Sequence, residues 1–191
     1  MNFVIFGAPG SGKGTQAELL AKKLEIPTIS MGALFRQAYE QKTPDGLKAH
    51  SYWGKGNWVP GKLTFKVLKP ALDKHYRGFV LDGYPRRIDQ VPPLEEYLKE
   101  EGEEINWAIL LLISDQGAVE RLLLRAEKSR ETKGKARLDD TKELIQARLN
   151  SHHRTVDPII AYFRDKGILM EVDGERPVEV IHQEIMERLS Q

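Results

Sequence analysis

The stretch NFVIFGAPGSGKGTQAELLAKKL, residues 2–24, joins an apolar run to an amphipathic one through a glycine-rich turn that carries one lysine. Asn2–Phe6 reads as a short buried strand, and Ala17, Leu20, Ala21 and Leu24 recur at helical spacing. Between them, Gly7, Gly12 and Lys13 stand at the spacing G-x-x-x-x-G-K. A loop between strand and helix leaves unpaired N–H groups facing outward, with the positive end of the helix dipole behind them. Glycine lets that backbone curl around a phosphate, and Lys13 supplies a mobile charge for the outer phosphates. The spacing therefore predicts a phosphate-binding loop over Gly10, Ser11, Gly12, Lys13, Gly14 and Thr15. A turn that merely happens to hold a lysine would not require a strand before it and a helix after it.

Further strand candidates are Thr28–Ser30, Phe79–Leu81, Trp107–Ile113 and Ile168–Val172. Helical patterns occupy Lys13–Leu24, Arg87–Leu98, Asp115–Ala126 and Pro177–Leu189. This alternation predicts an α/β fold, a parallel five-stranded sheet of the P-loop NTPase kind with helices on both faces. Ligands of such sheets sit beyond the carboxyl ends of the strands, where Gly7 begins and Asp82 falls. Two segments interrupt the pattern. Ser30 to Val59 holds no convincing strand, and 126–136, AEKSRETKGKA, is almost wholly polar and reads as a loop. The expected division is a core of 1–29, 60–125 and 137–191, an insertion at 30–59, and a short covering segment at 126–136.

The 191 residues suffice for one substantial core. Charged residues make up 30% and the net charge is +1, which points to neither a nucleic-acid nor a membrane partner. There is no cysteine, hence no disulfide and no cysteine-based zinc site. The start MNFVIF has no basic leader, and no apolar run approaches the ~20 residues of a membrane span. The chain reads as soluble and cytoplasmic.

Asp82 directly follows a buried strand in FVLDGYPRR, residues 79–87. A carboxylate there can hold magnesium directly or through its waters. An Asp-Gly hairpin is the plainer reading, but the following PRRIDQVPPLEEYL reads as a helix and not as a partner strand. Gly83 permits close backbone approach, Arg86 offers a fork for a second phosphate, and the Gln90 amide suits the edge of adenine. Arg121 and Arg125 share a helix face, Arg137 follows the polar run, and Arg148 comes eleven residues later on the next helix. Any single one reads as a surface arginine; together they bracket a segment that could close over migrating phosphoryl charge. His152 and His153 have no evident partners and are expected at the surface.

Along essentially its whole length the chain resembles the adenylate kinases among the nucleoside monophosphate kinases. GAPGSGKGTQ, LDGYPRRIDQ, RLLLR, RLDD, RTVDPIIAYF and VDG followed by Arg176 carry the likeness. The resemblance implies phosphoryl transfer from MgATP to AMP, giving two ADP, by a monomer. It implies that Gly10 to Thr15 hold the ATP phosphates, with Arg121 and the backbone at Arg176 against the ATP adenine. AMP would be held by Met31, Arg36, Arg86 and Gln90, and by backbone at Asn57, Trp58, Val59 and Gly83. Lys13, Arg86, Arg125, Arg137 and Arg148 would converge on the phosphoryl groups, Arg137 and Arg148 also meeting AMP, and Asp82 would reach magnesium through waters. Residues 30–59 resemble the monophosphate-binding insertion and 126–136 a short lid.

ISMGALFR, residues 29–36, departs from the family pattern: Met31 stands for a threonine and Ala33 for an aspartate that orders magnesium's waters. Gly61 stands for a common aspartate. A UMP/CMP-type kinase is the runner-up, and Gln90 favours AMP over it. A GTPase-like switch would carry N-K-x-D, which is absent. A catalytically weak adenine-nucleotide sensor fits Met31 and Ala33, whereas Lys13, Asp82 and the arginines argue against it.

Overall fold

A computed structural model describes residues 1–74, 77–133 and 141–190, without side chains at 130, 132 and 133. Five parallel strands, β1 (Asn2–Gly7), β2 (Thr28–Ser30), β3 (Phe79–Asp82), β4 (Trp107–Leu112) and β5 (Leu169–Asp173), lie in the order β2-β3-β1-β4-β5. The central strand β1 is the most buried, because in a sheet covered on both sides every position must suit a core. Its successive side chains point to opposite faces. Val4 and Phe6 pack with Leu68, Leu94 and Phe163, and Phe3 and Ile5 pack with Leu20, Ile181 and Ile185. The first layer draws on α4 (Gly61–Leu72), α5 (Val91–Glu100) and α8 (Asp157–Asp165); the second on α1 (Lys13–Leu24) and α9 (Val178–Leu189).

Two elements differ from the expected ones. The helix expected at Arg87–Leu98 is a 3-10 turn, Ile88–Gln90, followed by α5. Pro92 and Pro93 explain the break: with no N–H to give, they are tolerated only in a first turn, so the α-helix must start beside them. The polar run expected as a loop from residue 126 is helical as far as Lys133, in α6 (Asp115–Lys133). From Ala126 to Lys133 it holds no glycine or proline and is rich in Ala, Glu, Lys and Arg, all good helix formers; the first breaker is Gly134. Ser30 to Val59 holds α2 (Met31–Glu40) and α3 (Pro44–Trp53). A third apolar cluster, Ala8, Ala118, Leu122, Ile145 and Leu149, joins α6 to α7 (Lys142–His153) beside the phosphate loop.

Register brings the polar residues to one edge. Ile5 pairs with Asp82 and Ser30 pairs with Asp82, so the ends of β1, β3 and β2 meet where the loop begins. Packing across this sheet sets the stability of that edge. Leu20→Ala, at a fully buried position between α1 and the sheet, is expected to cost roughly 2–4 kcal/mol. Urea unfolding should show the midpoint falling with little change in slope.

Candidate functional site

The carboxyl edge of the sheet opens into a cavity of about 540 Å³. One end is the phosphate loop, Gly10, Gly12, Lys13, Gly14 and Thr15, with Arg121 and Arg125 of α6 beside it. The other is walled by Met31, Phe35, Trp53, Trp58 and Val59, with Arg36, Asn57 and Gln90. Asp82, Gly83, Arg86 and Arg148 complete the lining. Gly10 is required by both conformation and space: its φ is +88°, and a Cβ there would lie 2.6 Å from Ala118 O.

Lys13 Nζ donates to Ala8 O at 3.0 Å, and the side chain is half-buried in this cleft. Burial, then the charges of Arg86, Arg148 and Arg125, lower its pKa to about 7, while Asp82 opposes them. The three arginines that sequence reading gathered from distant segments therefore act on one ammonium. Asp82 is held from one side only. Its Oδ2 accepts a hydrogen bond from Ser30 Oγ at 2.8 Å, whereas Oδ1 is buried without a hydrogen-bond partner. A Cβ on Gly14 would come within 3.5 Å of Oδ2, so the loop backbone passes close to this carboxylate.

Arg86 is fixed at several points. Its Nε donates to Gly83 O at 2.7 Å, its N–H to Gln90 Oε1 at 2.7 Å, and its guanidinium stacks 4.8 Å from the Trp58 ring. Trp58 Nε1 in turn donates to Thr155 Oγ1 at 3.1 Å, a hydroxyl that lies 2.8 Å from Arg86 O. Gln90 is buried, and Nε2 donates to Val59 O at 3.1 Å and Thr64 Oγ1 at 3.2 Å. Its amide is thus a tie between two walls, with one lone pair of Oε1 left over.

Not every expected residue lines the cavity. Ser11 is buried, and its N–H closes a turn onto Ala8 O at 3.1 Å. The Arg176 side chain pairs with Glu184 and Asp173, away from the cleft. Its loop is nevertheless tied to the site, because Arg121 donates to Gly174 O at 2.8 Å and to Glu175 O at 3.1 Å. Arg137 lies outside the described residues.

His152, expected at the surface, is half-buried against the underside of the loop beside Lys13, Arg86 and Trp58. Burial, then the charges of Lys13, His153 and Arg86, lower its pKa to about 4, so it is neutral at pH 7. His153 does have a partner, Asp115 Oδ1, 2.8 Å from Nε2. Sequence reading gave no role to Ser30, Thr64 or Thr155. Thr155 and Ser30 lay inside stretches already singled out; Thr64 becomes visible only through packing.

Comparison with known proteins decides the lineage. The model of the adenylate kinase family matches residues 5–168. The chain belongs to the adenylate kinase family. It is 37% identical over 191 residues to an adenylate kinase of Azobacteroides pseudotrichonymphae, covering 99% of this chain and 97% of that one. It is 36% identical over 188 residues to an adenylate kinase of Pseudarthrobacter chlorophenolicus, covering 97% and 95%. An adenylate kinase of Bacillus velezensis is 34% identical over 212 aligned positions, covering 99% and 98%. Among the described residues, no helix of this family member is long and apolar enough to cross a membrane.

A pH dependence follows from the burial of Lys13. Anionic phosphate favours the ammonium, so bound nucleotide raises a pKa that stands near 7 in the free protein. Affinity for ATP should be greatest below that value and should weaken by up to about tenfold per unit as pH rises through and above it. Calorimetric titration across pH 6 to 9 measures this slope and the accompanying proton uptake. In Lys13→Met the slope contributed by this residue should vanish.

Proposed function

We propose that this cavity carries reversible phosphoryl transfer, ATP plus AMP giving two ADP, with ATP at the phosphate loop and AMP at the apolar-walled end. The observation that carries this reading is the gathering of Lys13, Arg86, Arg125 and Arg148 around one cleft with Asp82 at its edge. A migrating phosphoryl group spreads charge over its oxygens, so fixed cations stabilise the transition state more than the ground state. The attacking AMP phosphate oxygen is already ionised near pH 7, so no side chain need remove its proton. The protein's task is to position two anions in line and exclude water.

Roles follow from position. Gly10 to Thr15 cradle the ATP phosphates, with Lys13 at the outer ones. Arg121 and the Gly174–Arg176 loop form the seat for the ATP base, supported by the two hydrogen bonds between them. Arg86 and Arg36 take the AMP phosphate, joined by Arg137 from outside the described residues. Met31 and Val59, both buried, form the apolar face for the AMP base, with Gln90 Oε1 and backbone at Asn57, Trp58 and Gly83 reading its edge.

Asp82 fits a magnesium role, since Ser30 fixes one oxygen and leaves the other, buried Oδ1 without a partner. Magnesium held there through waters would neutralise charge on the ATP phosphate oxygens. We assign 30–59 as the monophosphate-binding insertion and 126–136 as a short lid. The continuation of α6 past Arg125 supports a lid carried on the same helix as two site arginines. Lack of cysteine supports a cytoplasmic enzyme, and kinship with the adenylate kinases supports a monomer.

Purified protein with MgATP should phosphorylate AMP faster than dAMP, UMP, CMP or GMP; preferential turnover of UMP or CMP would move it to the sister class. Lys13→Ala should lose on the order of 10²–10³-fold in turnover, with its far-UV circular dichroism unchanged. Ala33 is exposed at the cavity rim, where Ala33→Asp would return a carboxylate near magnesium's waters. That variant should reach half-maximal rate at lower magnesium; an unchanged magnesium titration would show that position 33 has no part in holding it.

A further inference from the structure

Asp89 lies outside the cavity, with 42% of its side chain exposed, yet it is bound to two other residues. Its Oδ2 accepts the Gly61 N–H at 3.0 Å, and its Oδ1 accepts Arg87 Nε at 2.8 Å. Gly61 is the first residue of α4, and the N-cap Pro60 offers no side-chain hydrogen bond there. The first N–H groups of a helix lack partners and its N-terminal end favours negative charge, so a carboxylate brought from another element serves as the missing cap. Burial would raise the Asp89 carboxyl, but the hydrogen bonds from Arg87 and Gly61 outweigh it and hold the pKa below its ordinary value. The fit leaves no room at position 61, where a Cβ would lie 2.3 Å from Asp89 O.

The tie joins two cavity walls. On one side stand Val59 and Thr64, flanking the start of α4; on the other stand Arg86 and Gln90, flanking Asp89. Gln90 crosses the same seam from inside, to Val59 O and Thr64 Oγ1. The seam thus has an inner fastening exposed to any bound acceptor and an outer one remote from it.

We propose that Asp89 is a positioning residue for the acceptor nucleotide: by capping α4 through Gly61 it sets the distance between the Val59 wall and the Arg86–Gln90 wall. This rests on the reading of that end of the cavity as the AMP site. The Asp89 carboxylate touches no reacting atom, and its effect belongs to acceptor binding and not to the chemical step.

Steady-state kinetics with ATP and AMP varied separately test it, alongside titration of AMP by tryptophan fluorescence and thermal midpoints. Asp89→Ala should raise the KM for AMP about three- to ten-fold, the scale of a lost helix cap, with kcat within about two-fold and the KM for ATP unchanged. Asp89→Asn keeps an oxygen for the Gly61 N–H and should stay within about two-fold of the parent in KM for AMP. Gly61→Ala, which forces the seam open, should show the same split as Asp89→Ala. Arg87→Gln leaves the Gly61 bond in place and should leave both KM values alone. A purely structural role would lower the thermal midpoint without separating the two nucleotides. Equal rises in both KM values, or an unchanged KM for AMP in Asp89→Ala, would overturn the proposal. A parent protein without AMP-dependent turnover would instead overturn the reading of the site, and the proposal with it.

Discussion

The half-buried Lys13 stands among Arg86, Arg125 and Arg148 with Asp82 opposing them, and the rest of the molecule is arranged to hold those like charges in place. Cations brought together out of water resist the arrangement, through both desolvation and mutual repulsion. The depressed Lys13 pKa expresses that resistance. The opposing force comes from apolar burial on both faces of the sheet and from the cluster that fixes α6 and α7 beside the loop. Polyphosphate bound there would relieve the repulsion, so the same electrostatics that weaken the free protein would strengthen binding. Stability and function are set against each other at one lysine.

The parts of this site that were legible in the sequence are those whose chemistry needs a fixed spacing along the chain. The phosphate loop has to place glycines and a lysine between one strand and one helix, and Asp82 has to follow its strand directly. β1, β3 and β4 were legible because each is a short, largely apolar run bounded by turn residues. What escaped was decided by packing. Glu, Lys and Arg suit an exposed helix and a solvated loop equally, so polarity alone concealed the length of α6. The depth of His152 depends on how α7 rolls against the loop, which no local pattern encodes. Gln90 was read correctly as a planar donor and acceptor, but its hydrogen bonds to Val59 and Thr64 cross between elements far apart in sequence.

Hydroxyls form a second set of links that sequence reading passed over. Ser30 fixes one oxygen of Asp82, and Thr155 lies between Trp58 and the backbone of Arg86. Each ties a charged group of the cleft to an element that supplies no charge itself. Such bonds contribute about 1 kcal/mol apiece to stability, but their larger effect is to remove rotamers from groups whose placement sets the field in the cleft. Serine and threonine are common everywhere, so their types carry little signal; β2 and β3 in register, and the turn between α7 and α8 set against Trp58, give them meaning.

The departures from the family pattern can be weighed in the same terms. At position 61 the absent carboxylate has a substitute, because Asp89 reaches the first N–H of α4 from the neighbouring turn and occupies the space a side chain would need. Position 31 is likewise settled by packing: Met31 is buried within the main core cluster, so it makes that wall of the cavity apolar and continuous with the sheet. Position 33 differs from both. Ala33 is exposed at the rim of a cavity that also holds Asp82, one oxygen of which Ser30 already occupies. An interior change must be compensated for the chain to fold, whereas a change at an open rim can persist and act on ligands alone. Of the three positions, 33 is the exposed one, so a side chain there can act on ligands with little cost to the core.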